Sequence, residues 1–418
     1  MKKTDSLKSS VIALAVVQAS NYILPLVSVP YLARILGVEN FGKVIFAQAF
    51  MMYFILLVEY GFSWSGTRKV AASRNDRRQL GKIFINVFCS QWLLVIFSAF
   101  ACSGLVFLFD NLRVDAHFYA LAFLSVFGSA LFPLWFLQGI EKMRMAAFFQ
   151  FFGKFFGLIL LFLVVKNSSD VEWAIFSSSI STVLVGIFSL IFIFRGDFFY
   201  FCKPSLYGVV KELKEGWVLF TSRVYISSYA ILMPLVLGWM MGPVALACYN
   251  VADKLRSGAQ SLINPITQAF FPRISFLMEN NKDAILPLLR KSAIGIFFVS
   301  LVASFLLYFF AEDLIKIIAG SGYEQAVVVL QWMSPIPFFV GVSNLLGVQI
   351  MIPLGMGREF NRSFMFAALL CLAMMWPMID IAAEKGAAIT LLITEFFGCA
   401  LISFYLWRRF HGKILSGE

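Results

Sequence analysis

Between Tyr249 and Gln260 the chain reads YNVADKLRSGAQ. An acid, Asp253, and two bases, Lys254 and Arg256, stand here between the apolar runs AILMPLVLGWMMGPVALAC and SLINPITQAFF. In apolar surroundings such groups can do three things. The bases can hold an anion, the carboxylate can take up a proton or a small cation, or the opposite charges can neutralise each other. Numbered from Asn250 at 100° per residue, Asn250, Asp253, Lys254, Ser257, Gln260, Ser261, Asn264, Thr267 and Gln268 fall within a sector of about 140°, with Arg256 at its edge. Against lipid each central ionic side chain would cost on the order of 2.5–3.5 kcal/mol, so this face must line protein or water. Asp253 and Arg256, three residues apart, have the spacing of an ion pair that holds the helix against a neighbour. That pairing leaves Lys254 and the polar stripe down to Gln268 unexplained, and Pro265 removes a backbone hydrogen bond within the stripe.

The same residue types recur in other apolar runs. Gln48 and Glu59 share a helical face roughly 16 Å apart, and Gln150, Gly153, Lys154 and Gly157 share another. The run from Trp217 carries Thr221, Ser222, Arg223, Tyr225, Ser227 and Tyr229, and the last run carries Thr390, Thr394 and Glu395. Arg34, near the end of the first run, either joins this set or snorkels to the interface. The embedded bases are then Lys154, Arg223, Lys254 and Arg256, and the embedded acids Glu59, Asp253 and Glu395. A cavity for organic cations needs a majority of carboxylates. This balance leans toward an anionic ligand, and phosphate-like groups suit Arg and Lys.

These residues need apolar elements to carry them. The chain has 418 residues, of which 60% are hydrophobic and 14% charged, against roughly 25% charged in soluble domains. Repeated apolar runs of about 20 residues match a hydrocarbon core of roughly 30 Å. The expected fold class is therefore an all-α polytopic membrane protein with twelve spans, near 10–33, 44–65, 83–109, 117–138, 146–165, 173–194, 217–241, 243–270, 292–311, 325–353, 363–381 and 387–407. With the amino terminus inside, 24 Lys and Arg fall on cytoplasmic segments and 6 on outside ones, so both termini are expected to be cytoplasmic. The net charge of +11 thus reads as topology rather than nucleic-acid binding. Its densest segment, RKVAASRNDRRQLGK, reads as a topology determinant that touches anionic lipid. The start, MKKTDSLKSS, resembles a signal-peptide n-region, but the apolar pattern continuing to Leu36 favours a retained first span. The six cysteines are scattered and read as small hydrophobes. No H-x-x-x-H, G-x-S-x-G or G-x-x-x-x-G-K-[ST] occurs, so nothing points to a hydrolase, an ATPase or a cofactor. A membrane glycosyltransferase or polymerase would need extramembrane loops larger than the short one around Ala311–Gln325.

The longest cytoplasmic connection separates two six-span halves, giving expected lobes at 1–195 and 217–418 and a linker at 196–216. The cluster Phe198, Phe199, Tyr200 and Phe201, followed by SLYGVVKELKE, reads as a helix lying on the membrane surface. A weak internal repeat relates LGVENFGKVIFAQ to MGPVALACYNVAD. In addition, FPLWFLQGIEKMR and IPLGMGREFNR each close the fourth span of their half with a proline and basic residues.

Four stretches, VVQASNYILPLVSVPYLARILGVENFG, EKMR, LINPITQAFFPRIS and AAITLLITE, resemble the Wzx flippases. These form the polysaccharide-transport branch of the multidrug/oligosaccharidyl-lipid/polysaccharide (MOP) exporters, and the likeness spans nearly the whole chain. The resemblance implies two six-helix lobes related by a pseudo-two-fold axis in a V-shaped bundle around a central cavity. It implies a substrate of undecaprenyl-pyrophosphate carrying one O-antigen repeat unit, moved across a bacterial inner membrane beside a polymerase and a chain-length regulator. The movement would be alternating access driven by a proton or sodium gradient. On that reading Arg34, Lys154, Arg223, Lys254 and Arg256 face the pyrophosphate, Tyr225, Tyr249, Asn250 and Gln260 face the glycan, and Glu59, Asp253 and Glu395 bind the coupling ion. The related lipid II flippases carry ionised residues midway along their first helix, whereas PLVSVP here is uncharged, so Arg223, Lys254 or Arg256 would have to supply that contact. A multidrug or organic-cation antiporter of the same fold is the alternative.

The orientation is tested by reporter fusions. Alkaline phosphatase fused at Ser168 should be active and at Lys203 inactive; the reverse pattern would refute the assignment.

Overall fold

The computed structural model describes residues 2–280 and 285–416, and every regular element among them is helical. A bilayer offers no water to satisfy backbone N–H and C=O groups, so a chain this apolar crosses as helices whose hydrogen bonds close internally. The chain divides into two compact units, Met1–Ser227 and Ser228–Glu418. The first contains α1 (Lys2–Glu59), α2 (Phe62–Ala72), α3 (Arg77–Leu108), α4 (Asp110–Arg113), α5 (Ala116–Leu131), α6 (Leu134–Gly139), α7 (Met143–Val164), α8 (Val171–Arg195) and the start of α9 (Leu206–Ser261). The second contains the rest of α9, α10 (Asn264–Asn280), α11 (Ile285–Phe309), α12 (Ala311–Ile318), α13 (Glu324–Met333), α14 (Ile336–Ser343), a π-helical segment (Asn344–Met351) and α15 (Gly357–Ser416).

Among the described residues nine helical stretches are long and apolar enough to span a membrane. Three of these, Leu26–Ala72, Ile231–Met278 and Gly357–Arg409, have 47, 48 and 53 residues, more than one crossing needs. Each is interrupted at a non-helical point: Gly37, Gly242, and the pair Ala382–Ala383. The interruptions fall between expected spans one and two, seven and eight, and eleven and twelve, an arrangement compatible with twelve crossings.

Gly37 (φ 74°, ψ 171°) and Gly242 (φ 84°, ψ −177°) share one backbone conformation, in a region open essentially to glycine alone. Among the described residues no atom beyond the adjoining chain lies within 4 Å of where a Cβ would sit at either residue, so the requirement comes from the backbone and not from packing. The two glycines begin the paired sequences LGVENFGKVIFAQ and MGPVALACYNVAD, so the internal repeat is carried by conformation as well as by letters. Pro243 then starts the next helical stretch with φ already set. After Gly37 the corresponding stretch opens with Glu39, which suits the positive end of the helix dipole and pairs with Lys43 at 3.2 Å. The fourth span is interrupted in both halves: at Phe132–Pro133 between α5 and α6, and by the π-helical segment after α14. That segment holds Gln349, fully buried, whose Oε1 accepts a hydrogen bond from Ser292 Oγ of α11 at 2.7 Å.

Helices in lipid gain little from the hydrophobic effect and associate through close contact, which small residues permit. In the first unit Gly153 and Gly157 of α7 face Ser181, Val185 and the Ser177 carbonyl of α8; a Cβ at Gly153 would come within 2.1 Å of Val185. Gly128 of α5 likewise sits against Thr182 and Val183. The expected shared polar face of α7 is thereby divided. Gly153 and Gly157 are buried packing positions, whereas Lys154 lies on the exposed side with Phe155 and Phe156.

Two expectations about the polar end of the first unit are refined. Phe199 is not spread on a surface: it is buried and stacks on Phe84 at 4.7 Å, within a core that includes Trp135 and Phe136, while Tyr200 and Phe201 remain exposed. SLYGVVKELKE is helical but continues unbroken into span seven as the start of α9. Its Val209 and Glu212 are buried in the first unit. Lys69 binds Glu212 and Glu215, each at 2.7 Å; Arg74 meets Glu141 at 2.6 Å and Arg77 meets Asp197 at 2.7 Å. Half of the basic segment therefore serves internal ion pairs. All six cysteines are free thiols, four of them buried.

Gly242→Ala should lower stability by roughly 1–3 kcal/mol, because alanine cannot adopt this conformation without strain. Gly258→Ala, in open space within a helical stretch, should change it by less than about 1 kcal/mol. Thermal midpoints of the detergent-purified variants distinguish the two, and equal midpoints would refute the assigned backbone constraint.

Candidate substrate and ion-coupling site

The polar stripe begins on α9 beyond Gly242, in the second unit, and its last members, Asn264, Thr267 and Gln268, follow the break at Leu262–Ile263 onto α10. Val251, Ala252 and Leu255 pack its apolar side and are buried, which fixes the rotation of the helix and leaves the polar sector partly accessible. Tyr249 is buried one turn above Asp253. The Arg256 guanidinium is held entirely by its own helix. Nε and Nη2 donate to Asp253 Oδ1 at 2.8 and 2.6 Å, and Nη1 donates to Gln260 Oε1. The pair is shielded, with side-chain exposures of 14% for Arg256 and 29% for Asp253. Neutralisation within a single turn is what makes two charges tolerable here, since either alone would face an uncompensated desolvation cost.

Arg256 and Asp253 are thereby committed to each other, and the remaining polar groups divide between two sides. Lys254 lies about 40° from Asn250 on the helical wheel and one turn along the axis. It has no carboxylate partner among the described residues. The Asn250 Oδ1 is buried without a hydrogen-bond partner, an uncommon state for an amide oxygen. Together these two residues place a cationic donor and a buried acceptor, without a partner among the described residues, on one strip of helix.

Glu395 lies on the second stretch of α15, within electrostatic reach of Arg256. It lines a small cavity with Ser343 of α14 and with Ser363, Thr394 and Gly398 of α15. Thr394 Oγ1 donates to the Thr390 carbonyl at 2.8 Å and Ser363 Oγ to the Glu359 carbonyl at 3.0 Å, so each hydroxyl oxygen keeps lone pairs for another donor or a cation. Ser343 and Ser363 were not foreseen. Single serines in apolar runs give no periodic signal, and these two meet only because α14 and α15 pack together.

The other expected site residues lie elsewhere. Arg34 is exposed, three residues before the Gly37 break. Glu59 is not in mid-span: it ends α1, where Tyr60 and Gly61 adopt positive φ. Its expected face-mate Gln48 donates to Ser178 Oγ of α8 at 3.4 Å. Lys154 is exposed on α7. The side chains of Arg223 and Tyr225 lie outside the described residues. The structure thus brings together Tyr249, Asn250, Asp253, Lys254, Arg256, Gln260 and Glu395 in the second unit, and distributes Arg34, Glu59 and Lys154 over separate parts of the first.

Comparison with known proteins fits this architecture. Residues 7–278 match the model of the family described as "Polysaccharide biosynthesis protein". An Escherichia coli K12 protein described as "Putative O-antigen transporter" is 34% identical over 410 residues, covering 98% of both chains. Among solved structures, the lipid II flippase MurJ in an inward closed conformation superposes with a TM-score of 0.78 at 14% identity, covering 95% of this chain and 87% of that one. An inward-facing multidrug resistance MATE family transporter of the MOP superfamily superposes with a TM-score of 0.74 at 13% identity, covering 98% and 99%. The chain belongs to the polysaccharide biosynthesis protein family and is built on the MOP transporter fold.

Proposed function

We propose that this protein is a flippase that moves an undecaprenyl-pyrophosphate-linked O-antigen repeat unit from the cytoplasmic to the periplasmic leaflet of a bacterial inner membrane by ion-coupled alternating access. The observation that carries the reading is the strip formed by Lys254 and Asn250. An ammonium without a carboxylate partner suits a pyrophosphate, and an unsatisfied amide oxygen one turn away suits a sugar hydroxyl. The curated relative described as an O-antigen transporter and the lipid-flipping fold neighbour support this choice of cargo over an organic cation, which the Lys254 ammonium would repel. Tyr249 and Gln260 border the strip. A polymerase and a chain-length regulator on the periplasmic side are the partners that would receive the product.

Coupling is assigned to Glu395. A proton or sodium ion taken up between its carboxylate and the hydroxyls of Ser343, Ser363 and Thr394 would reduce the negative charge near Arg256. The guanidinium would then rest more completely on Asp253, with Lys254 as its neighbour on the chain. A coupling ion can drive a conformational change only through such a difference in interaction between two states.

Complementation of a strain lacking its own O-antigen flippase tests the cargo. Lys254→Ala should reduce polymerised O-antigen at least tenfold at normal membrane abundance, and Lys254→Arg should retain most of it. Full laddering by Lys254→Ala would sink the pyrophosphate assignment. Altered drug susceptibility with unchanged surface polysaccharide would favour the antiporter instead.

Glu395→Gln should leave abundance unchanged while removing the response of transport to collapse of the proton or sodium gradient in everted vesicles. A variant that kept the full response would refute the coupling role. Arg256→Ala alone should cost about 1–3 kcal/mol of stability by exposing Asp253 as an unpaired charge, and more than the Asp253→Ala/Arg256→Ala double variant costs. The ordering of thermal midpoints checks this.

A further inference from the structure

A second polar site lies in the first unit, away from the strip on α9. The opening turns of α3 and the start of α9 form the walls of a cleft lined by Asp76, Arg78, Gln79, Lys82, Asn86 and Glu212. Arg78 and Lys82 are four residues apart on α3, hence on one face. Both are exposed, and neither has an acidic partner among the described residues, although Lys69, Arg74 and Arg77 of the same basic segment all do.

The two carboxylates of the cleft are already engaged. Asp76 Oδ1 accepts from the backbone N–H groups of Arg78 and Gln79 at 2.9 and 3.0 Å as the cap of α3, and Glu212 pairs with Lys69, which it shares with Glu215. Asn86 Oδ1 accepts the Ser205 N–H at 3.2 Å, which directs its amide nitrogen to act as a donor. The cleft therefore offers two cations without an acidic partner among the described residues and neutral amide donors, beside two carboxylates whose oxygens are held by the α3 cap and by Lys69.

Its depth is set by α9. Glu212 and Val209 turn inward, whereas Leu206, Tyr207, Val210 and Trp217 are exposed on other sides of the same helix, an apolar surface suited to lipid. A helix with an apolar surface on one side and a cleft bearing cations on the other suits the level of the phosphate groups of a bilayer.

We propose that this cleft is a phosphate-binding site, in which Arg78 and Lys82 hold one phosphate with Gln79 and Asn86 as neutral donors. Two sources share that chemistry: the headgroup of an anionic phospholipid and free inorganic phosphate. The site does not depend on the identity of the transported cargo.

The test uses the full-length protein and native mass spectrometry. Protein is prepared with phosphatidylglycerol, with phosphatidylcholine alone, or with phosphatidylcholine plus inorganic phosphate. Wild type should retain one more phosphatidylglycerol than Arg78→Gln/Lys82→Gln, whereas Lys203→Gln/Lys214→Gln, which removes the same charge outside the cleft, should match wild type. Retention of phosphate in place of lipid, lost in the same cleft variant, would support the site and assign it to the free ion. Equal binding by wild type and the cleft variant in every preparation would overturn the proposal, as would equal loss in both double variants. Far-ultraviolet circular dichroism and thermal midpoints within about 2 °C of wild type confirm that the cleft variant is folded; should it not be, Lys82→Gln alone is scored by the same criteria.

Discussion

The second unit depends on a charge balance struck within one turn of helix. Arg256 gives all three guanidinium nitrogens to Asp253 and Gln260, so a segment containing an acid and two bases presents itself to its neighbours as almost neutral. What remains is a single ammonium on one side of α9 and, on α15, the Glu395 carboxylate within electrostatic reach of Arg256.

The same economy holds in the first unit, with backbone geometry and small side chains in place of charge. Glycines on α5 and α7 bring those helices against the serine-rich side of α8, the close contact that apolar solvent requires of helices that must adhere. Phe199 and Lys69 then tie the segment leading into α9 to this body, one by ring stacking and the other by two carboxylates. The connection between the halves is accordingly part of the first unit for much of its length.

Much of the architecture was readable in the sequence, because its signals are additive over long windows. Apolar runs, their basic flanks and the polar stripe on α9 each sum over many residues, and the pairing of Asp253 with Arg256 follows from spacing alone. The errors came from side chains whose partners are distant in sequence. Gln48 and Glu59 share a wheel position, but one reaches α8 and the other ends its helix. Lys154 adjoins Gly153, yet only the glycine meets α8. The serines beside Glu395 belong to two helices, and no local pattern marks their meeting. Phe199 looked superficial because a run of four aromatics resembles an interfacial belt, when one of the four completes a core.

Gly37 and Gly242 have empty space around them, and this has a genetic consequence. Where a glycine is demanded by a neighbour pressed against it, a second mutation that shrinks the neighbour can restore the fit. Here no neighbour among the described residues presses on the site, and the strain of any replacement resides in the residue's own torsion angles. Suppressors of substitutions at these two positions should therefore be revertants or general stabilisers acting at a distance, never local compensating changes.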